Sequence, residues 1–355
     1  MNSDFIEGDF IEDINGIIFD VKGFEHPPDK VVAYPRYIPD KTGDRRGLRG
    51  RYRKIYDINE RMSYLKGRLK EYVVYDEVFD RVMCEVPRKR VIRHYKPEET
   101  LRLLGKGFYC LSRVEKDAYN LVKLLSKETG LSFKFFGISG SIMVGLHNEN
   151  SDLDIIVYGT DASWSVIRAL SRLFKNQILR RRSEEKLERL YYERKVDKIM
   201  DFETYKLHEY RKVQEGNFGG RDFFIRFIRD CDQHHKYGFY RYKNLGRIKA
   251  KVKILDDYES IFTPAKYTIK VLEIIESDLS EILDMDKEFL IYSFRGRYCQ
   301  QAFSDEIAEV SGKVEKIIRG DRTIAYRILL EEDGRDYMIS YSLMKNRDIF
   351  NHSII

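Results

Sequence analysis

Two aspartates, Asp152 and Asp154, stand two positions apart at the entrance to the apolar run Ile155-Ile156-Val157. Alternate side chains of a β-strand share a face, so both carboxylates project the same way. Like charges held that close repel, and burying either one alone is costly. A fold that keeps them there must supply a partner, and no basic residue lies in the segment to do so locally. A divalent cation meets the need, because hard carboxylate oxygens suit magnesium or manganese. The bland alternative, an exposed loop and a solvated strand end, leaves the acids leading into a core strand without a counter-charge.

The residues just upstream fit the same chemistry. The apolar stretch LSFKFFGI reads as a strand, SGSIMVGL as a turn entering a short helix, and SDLDIIVYG as the next strand. Gly140 lets the backbone approach a ligand closely, since it has no Cβ. Ser141, near a helix start, adds a hydroxyl beside amides that favour anions. Elements suited to phosphate and to metal therefore lie one short excursion apart.

The flanking text organises the chain. Residues 1–95 read as an N-terminal α+β domain of strands and turns, containing an Arg-rich, glycine-containing exposed arm at 41–56. Residues 96–238 alternate strand and helix, with SRVEKDAYNLVKLLSKETG at helical spacing and Asp161 or Ser163 placed to cap the helix that follows. From 239 to 355 the runs are β-rich with Gly turns, suggesting a small barrel with one helix around 265–283. The fold class is α/β and α+β, multidomain.

The strand FFGISGS, the spacer IMVGLHNENS of roughly ten residues, and Asp152-Leu153-Asp154-Ile155 together resemble the nucleotidyltransferase superfamily. That superfamily includes DNA polymerase beta, CCA-adding enzymes and poly(A) polymerases. The layout is also similar to uncharacterised archaeal proteins labelled as predicted nucleotidyltransferases. The resemblance implies a central mixed sheet with helices, Mg2+ or Mn2+ on Asp152 and Asp154, and a nucleoside triphosphate held by Gly140 and Ser141. It implies further a third carboxylate on a later strand, completing the metal site and accepting the acceptor's proton. Asp222, entering the run Phe223-Phe224-Ile225, is the choice for that role, with Asp197, Asp201 and Asp230 as substitutes. The implied reaction moves a nucleoside monophosphate onto an acceptor hydroxyl, RNA being favoured, and releases pyrophosphate.

Composition narrows the acceptor only slightly. A net charge of +6 and a pI near 8.8 permit nucleic acid without demanding it. Arg45, Arg46, Arg49, Arg51 and Arg53, with Tyr52 among them, form a credible nucleic-acid grip; a solubilising loop or a clamp on the triphosphate are the alternatives. The alternative functions are a non-catalytic nucleic-acid-binding protein on the same fold, and nucleotidylation of a protein or small molecule. No apolar run approaches the ~20 residues needed to cross a bilayer, and the acidic start MNSDFIEGDF lacks a signal pattern, so a cytoplasmic protein is expected. Cys84, Cys110, Cys231 and Cys299 show no metal-site spacing, and His234-His235 read as loop residues.

Overall fold

The computed structural model describes residues 5–107, 111–230 and 234–345 of the chain. Cys110 and Cys231 lie outside the described residues, whereas Cys84 and Cys299 are buried free thiols. The architecture is α+β, with three sheets and, among the described residues, eight α-helices. The chain gathers into two compact units. One holds Met1–Glu77, Arg81–Arg180 and Gln214–Phe239; the other holds Val78–Asp80, Arg181–Val213 and Tyr240–Ile355. The divisions at 95 and 238 read from sequence therefore run differently from this grouping: the N-terminal and central segments share a unit, and residues 181–213 join the C-terminal strands.

The first unit opens with an antiparallel sheet built from alternating apolar residues. It contains β1 (Phe10–Asp13), β2 (Ile18–Val21), β3 (Lys30–Pro39), β4 (Arg45–Gly47), β5 (Gly50–Lys54), β6 (Val73–Asp76), β7 (Arg81–Pro87) and β8 (Val91–Tyr95), with α1 (Ile58–Arg68) between β5 and β6. Ile11, Phe19, Val21, Val31, Ala33 and Tyr72 meet in its core. The Arg-rich segment, expected as an exposed arm, instead forms the β4–β5 hairpin, whose Tyr37↔Lys54 and Pro39↔Tyr52 pairs join it to β3. Two features missed in its composition permit this. Tyr52 supplies a buried apolar anchor, and Gly43 lies so close to the Tyr52 backbone that a Cβ would stand 2.2 Å from its carbonyl oxygen.

The same unit carries a four-stranded mixed sheet of β9 (Phe136–Ile138), β10 (Leu153–Tyr158), β11 (Glu215–Phe218) and β12 (Arg221–Ile228), in the order β11-β12-β10-β9. β10 and β12 run parallel; the other pairs are antiparallel. Leu153, Ile155, Val157, Phe223, Ile225 and Phe227 are fully buried, as alternation requires of the face that meets helices. Packed on this sheet are α3 (Arg113–Thr129) and α5 (Thr160–Lys175), with Phe174 of α5 against Phe223. A capping box of Ser112 and Glu115 opens α3, and left-handed Gly130 ends it. Neither Asp161 nor Ser163 caps α5. Gly159 precedes it, and the Asp230 carboxylate accepts from the Thr160 amide at 3.0 Å. α2 (Pro97–Gly105) lies against β9, where a Cβ on Gly137 would meet Pro97 at 2.5 Å.

The second unit combines α6 (Glu184–Glu193) and α7 (Phe202–Arg211) with β13 (Arg241–Asp256), β14 (Ala265–Ser277), β15 (Glu288–Ser293), β16 (Ile307–Arg319), β17 (Arg322–Leu329), β18 (Tyr337–Ser340) and α8 (Tyr341–Lys345). The order β13-β14-β15-β17-β16 returns to β13, closing a barrel in which β15 and β17 are parallel. Its core holds Ala250, Val252, Tyr267, Ile291, Val310, Ile328 and Met338. The helix expected around 265–283 is the strand β14 instead, because Ala265, Tyr267 and Ile269 bury one face at a period of two. Among the described residues no helix is long and apolar enough to cross a membrane.

Candidate functional site

The site forms where β9 hands over to β10 across the sheet. Ile138 lies opposite Ile155, and the Ser139 amide donates to the Asp154 carbonyl at 2.9 Å. The chain then turns through Gly140 at φ +64°, a left-handed conformation that glycine adopts freely. A short helix, α4 (Gly140–Met143), follows, and Met143 and Leu146 pack with Phe10, Ile18, Tyr37 and Tyr52 of the N-terminal sheet. The turn is therefore fixed by a core spanning both sheets of this unit.

Asp154 closes onto that turn. A Cβ on Gly140 would stand 1.9 Å from Asp154 Oδ2, so the carboxylate rests against the bare α-carbon. Asp154 is half-buried and Asp152 exposed. Burial pushes the Asp154 carboxyl above the ordinary carboxylate range; Lys54 pulls it down again, while Asp152 raises it further. Among the described residues no hydrogen bond or ion pair closes on the Asp154 side chain. The Ser141 hydroxyl, 5% exposed with its residue, has no protein hydrogen-bond partner among them either.

The connecting loop is tied from two sides. Arg45 of the β4–β5 hairpin donates to Ser151 Oγ at 3.0 Å, and Ser151 Oγ in turn accepts from the Asn148 amide at 2.9 Å. Arg221, paired with Asp117 at 3.1 Å, donates to the Ser151 carbonyl at 3.1 Å. The hairpin sits directly on the loop, since a Cβ on Gly47 would reach Leu146 at 2.7 Å.

The remaining arginines of the hairpin do other things. Arg49 pairs with Glu12 at 2.5 Å, Arg53 with Asp40 at 3.3 Å and with Glu60, and Arg51 donates to the Gly43 carbonyl at 3.3 Å. Arg46 is exposed. Of the five, Arg45 alone is placed against the acidic loop.

Three cations act electrostatically on the acids: Arg36 and Arg226, which sequence reasoning did not single out, and Lys54, which it placed only within the basic arm at 41–56. Arg36, on β3, and Lys54, at the end of β5, are half-buried, and both act electrostatically on Asp154, as does Arg226 on β12. Lys54 is lowered to about 7, first by burial, then by Arg36 and Arg45, against the pull of Asp154 and Asp152. Arg226 is committed to Glu7. Arg36 reaches only the Ile55 carbonyl, at 3.4 Å, and the exposed ring of Tyr56, at 5.4 Å; Lys54 also lies over that ring, at 4.7 Å. Neither Arg36 nor Lys54 closes an ion pair among the described residues. Both precede the acids by 98 to 118 positions in the chain, so local spacing could not pair them with the acids.

Asp222 stands one step before the Leu153↔Phe223 pair of the parallel strands, opposite Asp152 and on the same face. Adjacent strands place the two backbones ~4.8 Å apart. The Asp222 carboxylate accepts from Asn217 Nδ2 at 3.1 Å. Among the described residues no three His, Cys, Asp or Glu side chains converge as a metal-binding group. Of the substitutes, Asp230 caps α5, and Asp201 caps α7 by accepting from the Thr204 amide at 2.9 Å. The donor set at the turn, two carboxylates beside a cradle that a Cβ would fill, fits a hard divalent cation.

No family model and no solved structure matches this chain. It is 30% identical over 319 residues to the uncharacterised protein MJ1086 of Methanocaldococcus jannaschii, a match spanning 87% of this chain and 90% of that one.

Proposed function

Since the chain belongs to the same family as that archaeal protein, whose printed description assigns no activity, we propose a function from the site itself: metal-dependent transfer of a nucleoside monophosphate from a nucleoside triphosphate to an acceptor hydroxyl. The observation that carries the reading is the contact between Asp154 and the α-carbon of Gly140. It joins a carboxylate pair to a turn whose hydroxyl, on Ser141, has no protein partner among the described residues.

Asp152 and Asp154 are the residues that would hold magnesium or manganese, which would neutralise charge on the phosphate oxygens. Ser141 and the Gly140 amide hold the terminal phosphates. The acceptor oxygen forms a bond to the α-phosphorus, the bond to pyrophosphate breaks, and pyrophosphate carries away the electron pair. Asp222, level with Asp152, is the proposed recipient of the acceptor's proton. RNA is the favoured acceptor.

A second reading, a nucleic-acid-binding protein without turnover, is favoured by one observation: no third acid converges with the pair among the described residues. Incubation with labelled nucleoside triphosphates, Mg2+ and an RNA pool separates the two. Transfer abolished by Asp152→Ala, at least a hundredfold down, supports the enzyme. RNA binding that is indifferent to that substitution, with no label incorporated, supports the other. Label on protein or on a small molecule would move the acceptor away from RNA.

A further inference from the structure

Four of the five hairpin arginines read as a nucleic-acid grip are held inside the protein, Arg45 on Ser151, Arg49 on Glu12, Arg51 on the Gly43 carbonyl and Arg53 on Asp40. The same unit carries a different set of cations on the outward faces of α3 and α5. Arg113, Lys116, Lys123 and Lys127 succeed one another along α3 at steps that keep them on one stripe of a helix. Arg168, Arg172 and Lys175 form the corresponding stripe on α5. All are exposed, as is Lys134 in the short turn after α3. The helices pack on one another, and Arg172 Nη2 donates to the Glu128 carbonyl at 3.3 Å, so the stripes meet toward their C-terminal turns.

Two properties distinguish this face from an ordinary solvated one. Solvated helices commonly place opposite charges at i and i+4, which stabilises them. Here Lys123 and Lys127 stand in that relation, and so do Arg168 and Arg172, like-charge pairs that cost stability. Furthermore, none of these cations closes an ion pair among the described residues, and the exposed acids of the two helices are Asp161 and Glu128. Complementing the helix dipoles accounts for Lys127, Arg172 and Lys175 in the last turns. It leaves Lys123, Arg168 and Lys134 unexplained.

We propose that the joined faces of α3 and α5 dock the sugar-phosphate backbone of RNA. The proposal rests on RNA as the acceptor in the reading above, and not on turnover. Between the cations the stripes expose polar residues, Asn120 on α3 and Ser171 on α5, so they present nothing to insert into a lipid surface and no apolar centre for a protein interface. A partner with charge repeated along its length suits them. The α3 stripe from Arg113 to Lys127 is about 21 Å long, which matches about six nucleotide steps of one strand. Phe133, exposed beside Lys134 and edge-on to Tyr119 at 5.7 Å, gives the track a ring on which an unpaired base can stack. The end of α5 also lies beside the strand that carries Asp222. Phe174 packs on Phe223, and Arg180 bridges to Asn217, the donor to Asp222. RNA on these helices is thereby led toward the edge where its hydroxyl would react.

The test measures binding of the full chain to a fluorescein-labelled single-stranded RNA of about 20 nucleotides by anisotropy, over a series of KCl concentrations. The double variants Lys123→Gln/Lys127→Gln and Arg168→Gln/Arg172→Gln should each bind about tenfold to thirtyfold more weakly at 0.1 M salt, and each should flatten the slope of log affinity against log salt by about 1.4, the share of two phosphate contacts on a single strand. Lys123→Arg/Lys127→Arg should bind as wild type. Both Gln pairs should melt no lower than wild type, since each removes a repulsion, and that separates lost docking from lost fold. Lys270→Gln/Arg322→Gln, the same loss of charge at exposed positions of the second unit, should leave the affinity and the slope nearly unchanged. Equal weakening by that control pair overturns the inference, because net charge alone would then explain binding. A wild type that does not bind the RNA overturns it too, as does one that prefers vesicles of phosphatidylglycerol and phosphatidylcholine in equal parts. RNA binding that depends on these cations, with no nucleotide transferred, keeps the docking face and overturns turnover; transfer to RNA by Gln-pair variants with an unchanged KM for RNA keeps turnover and overturns the docking face.

Discussion

At Gly140 two demands fall on one atom. The turn needs φ +64°, and the Asp154 carboxylate needs the space that a side chain would fill. The spacing of Gly140, Ser141, Asp152 and Asp154 was legible because one hairpin of adjacent strands carries all four, so local alternation suffices to place them. Arg36 was not legible as a site residue, and Lys54 was legible only as part of a basic arm, because it is the packing of the N-terminal sheet that sets both near the acids. Asp154 also carries a pH signature. Its folded carboxyl is raised by burial, so the folded chain holds the proton to higher pH than the unfolded chain does. Stability from this group is thus present at low pH and falls as pH rises through the raised value. Without added divalent cation, Asp154→Asn should melt at a higher temperature than wild type at pH 7. That gain should vanish below about pH 4, where the unfolded carboxyl is protonated as well. A melting series across pH checks it, and an Asn variant that is less stable at neutral pH would contradict the burial argument.

Elements were read well where periodicity was unbroken and poorly where a bulge or a glycine intervened. α3 shows its helical stripe and its capping residues openly. β14 hides its period. Its pairs with β13 run Val252↔Val271, Lys251↔Glu273, Ala250↔Ile274 and Lys249↔Glu276, so Leu272 and Ile275 are extra residues that break the alternation. Those insertions space the apolar residues of KVLEIIES much as a helix would. The β4–β5 hairpin was obscured differently, since its arginines read as solvent-seeking although Arg45 is buried. The Arg45 contact with Ser151 should order the loop between the Gly140 turn and the acids. Arg45→Met should keep the fold and speed amide exchange at residues 147–151 by about tenfold, the equivalent of one charged hydrogen bond. Exchange followed by mass spectrometry checks this; unchanged loop protection would remove Arg45 from that role.

Across the whole molecule, each unit encloses a histidine that folding keeps neutral. His26 accepts from the Val32 amide at 3.1 Å, and His208 accepts from the Ser340 amide at 3.0 Å. Burial lowers both to about 4. The unfolded chain therefore binds these protons first as pH drops, and stability present above about pH 6.5 should be lost progressively toward pH 4. Both units should weaken together in that window, and His208→Gln should flatten part of the slope in chemical denaturation; a slope unchanged by that substitution would place the acid sensitivity elsewhere.

The path of the chain has its own consequence. Residues 181–213 belong with strands that begin at 240, and buried Lys212 there donates to the Arg297 carbonyl at 2.6 Å. A ribosome making this protein releases that helical stretch before a single staves-and-hoops partner for it has been translated. Tyr191 and Tyr205, with Leu187 and Val196, can then pack only within their own stretch, and the other unit can finish folding while its neighbour is still unwritten.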